Sequence, residues 1–238
     1  MKNKIIKWIK AQVKNAGATG IVLGLSGGID SSVVAALGKE AVGRNKLLAL
    51  ILPCHSQVQD LEDARFIARR LGIRTKTIDL SFIYDKIAGV MPKAKEKTRA
   101  NIKSRLRMLV IYYFANEFNY LACGTSNKSE GLAGYFTKYG DGASDILPLG
   151  DLFKKEVVRL AEELEIPSRI IVKPPTAGLW PGQTDEGEMG ITYRQLDEIL
   201  ERKEKGLKQT AGKQKVARVF FMVSKSEHKR QGPKICYI

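Results

Sequence analysis

Apolar runs without a polar face alternate along this chain with stretches whose apolar residues recur every three or four positions. Ile21–Leu25 is the first such run. It is β-branched and apolar, which predicts a buried strand. A helical stretch, Ser31–Val42, follows it. Leu47–Leu52 predicts a second strand, Gln59–Leu71 the next helix, and Thr75–Ile78 a third, short strand. Lys97–Phe118 predicts a long helix, with Ile102, Leu106, Leu109 and Tyr113 at helical spacing. Tyr120–Cys123 is a fourth strand ending at Gly124. Phe153–Leu164 predicts a helix with Phe153, Val157, Leu160 and Leu164 on one face. Met1–Lys14 intersperses Ile5, Ile6, Trp8, Ile9 and Val13 among lysines, as an amphipathic first helix packed on the body would. Ile170–Val172 is a short apolar run, and the tail Ala211–Arg230 is basic and part helical.

Strands alternating with helices imply an α/β fold with a parallel, doubly wound sheet. Ligands of such sheets sit beyond the C-terminal strand ends. The turn after Leu25, Pro53–Ser56 and Gly124–Asn127 all lie at such ends and are expected to meet at one site. Two stretches break the rhythm: Gly134–Gly150, which is Gly-rich and aromatic, and Lys173–Gly190, which holds Pro174, Pro175 and Pro181. Long structureless loops in a compact domain are usually functional or disordered. Mobile loops are expected at about 87–97 and 173–190, and a basic tail from about 207 to 238. The length, 238 residues, suits one α/β domain spanning 1–238.

The net charge of +15 alters this picture only in part. Such a charge could serve tRNA, small polyanionic substrates, or a solvated surface. The basic residues are spread over the whole chain, without a compact stripe interleaved with aromatics, so no nucleic-acid partner is expected. No apolar stretch approaches a membrane span, and the first residues lack the continuous apolar centre of a secretory signal. Cys54, Cys123 and Cys236 form no paired motif, which argues for reduced thiols and a cytoplasmic setting. Cys54-His55 has no second cluster to complete a zinc site.

The most specific chemistry lies in Gly24-Leu25-Ser26-Gly27-Gly28-Ile29-Asp30-Ser31-Ser32. Glycines let the backbone present amides to an anion, serines add hydroxyl donors, and the helix that follows turns its positive end to the same point. Asp30 is the odd member, because a carboxylate repels a phosphate unless Mg²⁺ lies between them. The turn lacks the Gly-Lys-Ser/Thr ending of a Walker loop and the Gly-x-Gly-x-x-Gly of dinucleotide folds. It resembles the pyrophosphate loop of ATP pyrophosphatases, in an adenine nucleotide alpha hydrolase-like fold.

Further motifs narrow the resemblance. Asn101–Met108 lies on the long helix; Gly124-Thr125-Ser126-Asn127-Lys128-Ser129-Glu130 follows the fourth strand. Gly134-Tyr135-Phe136-Thr137-Lys138-Tyr139-Gly140-Asp141-Gly142 and Asp145-Ile146-Leu147-Pro148-Leu149 come next. With Pro174-Pro175-Thr176-Ala177 and Gln183-Thr184-Asp185-Glu186, the chain is similar to the synthetase domain of the ammonia-dependent NAD synthetases over nearly its whole length. The resemblance implies ATP-dependent amidation of deamido-NAD with ammonia, through an acyl-adenylate, releasing AMP and pyrophosphate. It implies ATP contacts from Gly24 through Ser31 and from Thr125, Lys154 and Thr176, with Asp30 and Lys154 in catalysis. It implies Mg²⁺ on Asp30 and Glu130, and deamido-NAD contacts from Arg105, Lys138, Asp145, His228 and Lys229. A homodimer is implied too, for which Lys97–Phe118 is a candidate surface. Many bacterial members carry Gln where Ile29 stands and Asp-His where Ser126-Asn127 stand, so the variant resembles the archaeal-type branch. Free ammonia is the expected nitrogen source, because no amidase domain fits ahead of the first loop. A tRNA-modifying relative would need an appended RNA-binding element.

Overall fold

Four short strands, β1 (Gly20–Gly24), β2 (Leu47–Ile51), β3 (Arg74–Thr77) and β4 (Tyr120–Ala122), pair side by side in the order β3-β2-β1-β4. The computed structural model describes residues 1–180 and 182–236. Every pairing is parallel; Ile21 lies beside Leu47 and Leu121, and Val22 beside Leu48 and Ala122. The chain therefore walks outward from β1 to β3 and then returns to the other side of β1 for β4. That reversal places a topological switch point between β1 and β4, where open α/β sheets bind ligands. A parallel bridge between Cys123 and Ile146 continues the sheet past β4.

Helices cover both faces. On one, α1 (Lys2–Asn15), α2 (Ile29–Val42), α3 (Val58–Leu71), α7 (Lys154–Glu163) and α8 (Ser168–Ile171) bury Ile9, Val33, Leu37, Ile67, Val157, Leu160 and Ile170 against Ile21, Leu23 and Leu47. On the other, α4 (Ser81–Val90) and α5 (Glu96–Phe118) pack Tyr84, Phe114 and Ala115 on Val22, Leu48 and Leu50. Strands covered on both faces need apolar residues at every position, which is why β1 and β2 show no alternation. β3 is the opposite case, exposed throughout and carrying Arg74 and Lys76.

A third apolar cluster stands apart from the sheet. It joins Ala133 of α6 (Lys128–Ala133), Met189 of α9 (Asp185–Met189), Leu196, Ile199 and Leu200 of α10 (Tyr193–Glu204), and Val219 of α11 (Lys213–Lys225). A last turn, α12 (Glu227–Arg230), follows directly. Gly134 lets this layer close on the body. Its φ is +68°, and a Cβ there would lie 2.0 Å from the Ser226 Cβ.

Several elements differ from the sequence reading. The stretch 87–97 begins inside α4, because Tyr84 and Ala88 pack on α5; only residues 91–95 separate the two helices. The apolar run at Ile170, to which the sequence pattern assigns no element, caps the core as a helical turn. The stretch 173–190 ends in α9. α10 lies beyond the elements read from the pattern, although Thr192 Oγ1 caps it by accepting from Gln195 N at 3.3 Å. Pro181 of the 173–190 stretch and Tyr237 and Ile238 of the tail lie outside the described residues.

Candidate active site

The loop after β1 is held by its own side chains. Ser26 and Ser31 hydroxyls lie 3.0 Å apart, Ser31 Oγ donates to Gly28 O at 3.1 Å, and Ser32 Oγ donates to the same carbonyl at 2.7 Å. Gly27 has φ +81°, and a Cβ there would lie 2.4 Å from Asp60 O on α3. Gly27→Ala is therefore expected to cost roughly 1–3 kcal/mol from backbone strain alone, visible as a lower melting temperature. The loop delivers α2 with its first-turn amides, which lack intrahelical acceptors, at the switch point.

Asp30 sits in that first turn and points at a lysine 124 positions further along the chain. Lys154 Nζ donates to Asp30 Oδ2 and lies 3.7 Å from Glu130 Oε1 and 5.1 Å from the centre of the Tyr193 ring. All three charged side chains are largely buried. Lys154 opens α7, the wrong end of a helix for a cation. The Asp30 and Glu130 carboxylates offset that cost, and Ser129 Oγ accepts the Lys154 backbone N–H at 2.9 Å. Ser129 is itself fixed by Asp197, which also accepts from Lys155 N at 3.0 Å.

Asn127 ties the two carboxylates together. Its Nδ2 donates to Asp30 Oδ1 at 2.9 Å, and its Oδ1 accepts from Glu130 N at 3.0 Å as the cap of α6. This is one of the positions where many bacterial members differ, and here it orients Asp30. Ile29, another, is 6% exposed and belongs to the core. Burial pushes the Glu130 carboxyl well above its ordinary range, and the nearby Asp30 charge adds to the shift, while Lys154 opposes it. Burial lowers Lys154, but Asp30 and Glu130 together outweigh it and hold the ammonium charged.

One cavity of about 520 Å³ opens over this cluster. Gly24, Leu25, Ser26, Gly28, Ile29, Asp30, Ser31, Thr125, Glu130, Lys154 and Thr176 line it, together with Arg105, Lys138, His228 and Lys229. Gly27 lies behind the wall against α3. Asp145 does not reach the cavity: its carboxylate accepts from Ala122 N at 2.7 Å and from Tyr112 OH at 3.1 Å. Arg105 is exposed on α5, with NH2 donating to Lys138 O at 3.3 Å.

The tail closes one side of the cavity by a crossed arrangement. Lys138 Nζ donates to the carbonyls of His228 and Gln231; Lys229 Nζ donates to those of Gly134 and Phe136. Burial lowers the Lys229 ammonium. His228 Nδ1 lies 3.1 Å from Lys225 O. The 173–190 stretch closes another side. Lys173 Nζ bridges Asp60 and Asp63 at 2.7 and 2.8 Å, and the buried Lys103 Nζ donates to Leu179 O at 2.7 Å.

Lys103, Arg107 and Asp141 were not singled out from the sequence. Arg107 Nε donates to Leu52 O at 3.1 Å and its NH2 to Ser56 Oγ at 3.2 Å, pinning α5 to the end of β2. Asp141 accepts from Ser104 Oγ and from Thr137 N, which shapes the Phe136–Gly142 loop. Lys103 and Arg107 recur at four-residue spacing beside Arg105, a signal on the long helix that could have found them.

The NAD synthase family model matches residues 1–233. The chain belongs to the NAD synthase family. A relative from Archaeoglobus fulgidus, an NH3-dependent NAD+ synthetase, is 47% identical over 99% of this chain and 95% of its own length. The structure of an NH3-dependent NAD synthetase from Campylobacter jejuni superposes with a TM-score of 0.87 at 32% identity, covering 99% of this chain and 97% of that one. That of an NMN synthetase from Francisella tularensis gives 0.92 at 38% identity, covering 100% and 97%. The all-parallel sheet, the loop after β1 and the late C-terminal motifs thus belong to an ATP-dependent, ammonia-using ligase of the NAD synthase family. Among the described residues no helix is long and apolar enough to cross a membrane.

Proposed function

We propose that this NAD synthase holds ATP and deamido-NAD together in the one cavity and joins ammonia to the nicotinate carboxyl. The observation that carries this reading is the buried Asp30–Lys154–Glu130 cluster beneath the Ser-Gly-Gly loop. A nicotinate carboxylate oxygen attacks the α-phosphorus of ATP, and the bond to pyrophosphate breaks. Ammonia then attacks the acyl carbon, AMP leaves with the bonding electrons, and the surplus proton on the nitrogen passes to solvent. The loop amides and Ser26 and Ser31 receive the leaving pyrophosphate; Lys154 adds a fixed positive charge where negative charge builds. Thr125 and Thr176 flank the nucleotide.

Mg²⁺ fits the residues present. Lys154 pairs with both Asp30 and Glu130, so two carboxylates share one ammonium and one negative charge is left for a cation to meet. Among the described residues no group of three or more His, Cys, Asp or Glu is set to hold a metal. Asp30 and Glu130 would therefore share the ion with phosphate oxygens, where it would neutralise the departing pyrophosphate.

Arg105, Lys138, His228 and Lys229 are assigned to deamido-NAD, with Asp145 acting beyond the cavity. Arg105→Ala is expected to raise KM for deamido-NAD about tenfold, as for loss of one charge-assisted contact, with less than about a twofold change for ATP. Steady-state kinetics with each substrate varied checks this. A homodimer is proposed through α5, which exposes Leu109 and Tyr113, and the protein is placed in the cytoplasm. The assay is direct: ATP, Mg²⁺, ammonium and deamido-NAD should yield NAD, AMP and pyrophosphate in equal amounts. Absence of product would overturn the reading.

A second reading is amidation of the mononucleotide, nicotinate mononucleotide, favoured by the close superposition on the NMN synthetase and by Asp145 standing outside the cavity. The same assay with that substrate in place of deamido-NAD ranks the two by kcat/KM.

A further inference from the structure

Asp185 carries a buried carboxylate that neither the phosphate loop nor the Asp30–Glu130 pair explains. It is 5% exposed and lines the cavity. Its backbone N–H donates to Pro175 O at 3.0 Å, and Tyr193 OH donates to Oδ2 at 3.0 Å. Burial raises the proton affinity of the carboxyl, and the Tyr193 and Tyr135 hydroxyls and Lys154 oppose that rise. Oδ1 makes no hydrogen bond of ordinary length. Among the described residues only Gln209 Oε1 shares that condition, and Gln209 is not in the cavity wall. Buried polar atoms are rarely left unpaired, and a buried anionic oxygen least of all.

The neighbours of this oxygen define what it can take. Glu188, the other acid of α9 facing the cavity, is already engaged: Oε1 by Lys97, Oε2 by Tyr135 OH and Gln183 Nε2. Tyr193 OH, bonded to Asp185 Oδ2, also lies 3.4 Å from Glu130 Oε1, so this hydroxyl links Asp185 to the edge of the Lys154 cluster. Lys154 itself is paired with Asp30 and Glu130. Asp185 offers one free carboxylate oxygen and Glu188 none, too few oxygen ligands for a second divalent cation. What remains is a single anionic acceptor beside aromatic rings, suited to a small cation that donates hydrogen bonds. We infer that Asp185 Oδ1 receives the ammonium ion and takes one proton from it, so that ammonia, with its lone pair free, is what meets the acyl group. This rests on the amidation reading above.

The test separates the two half-reactions. Exchange of labelled pyrophosphate into ATP, driven by deamido-NAD with no ammonium present, reports adenylation alone. Asp185→Asn keeps an acceptor for Tyr193 but removes the anionic oxygen. The expected result is a KM for ammonium raised about ten- to a hundredfold, as for loss of a charge-assisted bond, with exchange changed less than about twofold. An unchanged ammonium KM would overturn the inference, as would exchange falling in parallel with overall turnover. If Asp185→Asn does not fold, Asp185→Ser gives the same comparison. Absence of exchange in the unaltered protein would instead defeat the amidation reading itself.

Discussion

Asp30→Asn is expected to lower adenylation about a thousandfold, which corresponds to roughly 4 kcal/mol of lost transition-state stabilisation, while the fold persists. Asp30 is the carboxylate inside the phosphate loop, and Asn127 Nδ2 and Lys154 Nζ both donate to it. Because the two donors use opposite oxygens, an asparagine keeps an acceptor for one of them and turns its amide group toward the other. What it cannot do is neutralise charge. Lys154 then retains Glu130 as its counter-ion, so no buried cation is stranded. The repulsion that Asp30 imposes on Glu130 also disappears. The melting temperature should therefore change little, whereas pyrophosphate exchange should nearly vanish at any Mg²⁺ concentration. Near-normal exchange at saturating Mg²⁺ would remove Asp30 from the metal site.

Lys154→Met should behave differently, because the partners left behind are of one sign. Removing one member of a buried ion pair typically costs about 3–5 kcal/mol. For a chain of this size that is roughly a 10 °C fall in melting temperature. The dependence on pH has a definite sign. Glu130 already holds its proton above the ordinary value of 4.5, chiefly through burial, and Lys154 is the largest influence opposing that rise. Without the lysine the folded protein binds a proton still more tightly than the unfolded chain. The contribution is complete below the unfolded value and is lost as pH rises through the folded one. The deficit relative to the native protein should thus be small in acid and grow toward neutral and alkaline pH. Mg²⁺ should recover part of the melting temperature, and activity should stay lost. Equal melting of both proteins across pH would contradict the ion-pair account.

β1 and β2 are legible in the sequence because they are buried on both sides. Such strands can only be apolar runs, and β1, β2 and β4 begin and end within about a residue of those runs. The phosphate loop was legible for a related reason: glycines, serines and one carboxylate at fixed spacing have few uses after a buried strand. The helical layer around α10 was harder to see. Its apolar residues pack on α6, α9 and α11 instead of the sheet, so no strand announces them. Asp185 shows where sequence reasoning ends. It lies within the Gln183-Thr184-Asp185-Glu186 run, but its unpaired oxygen depends on Tyr193 and Pro175 fixing the rest of the residue. Asn127 is similar: only the fold brings its amide to Asp30, across 97 positions of chain.

β3 settles how the sheet ends. It is exposed at each position and carries Arg74 and Lys76 on the outer edge. Open strand edges invite another strand to pair, and charges are the common deterrent. A second copy brought alongside in the same fashion would press guanidinium and ammonium groups against their own twins. The sheet therefore resists lengthening from molecule to molecule, even in concentrated solution. Replacing both charges with Thr or Val would remove that deterrent and leave the rim open to pairing with another strand.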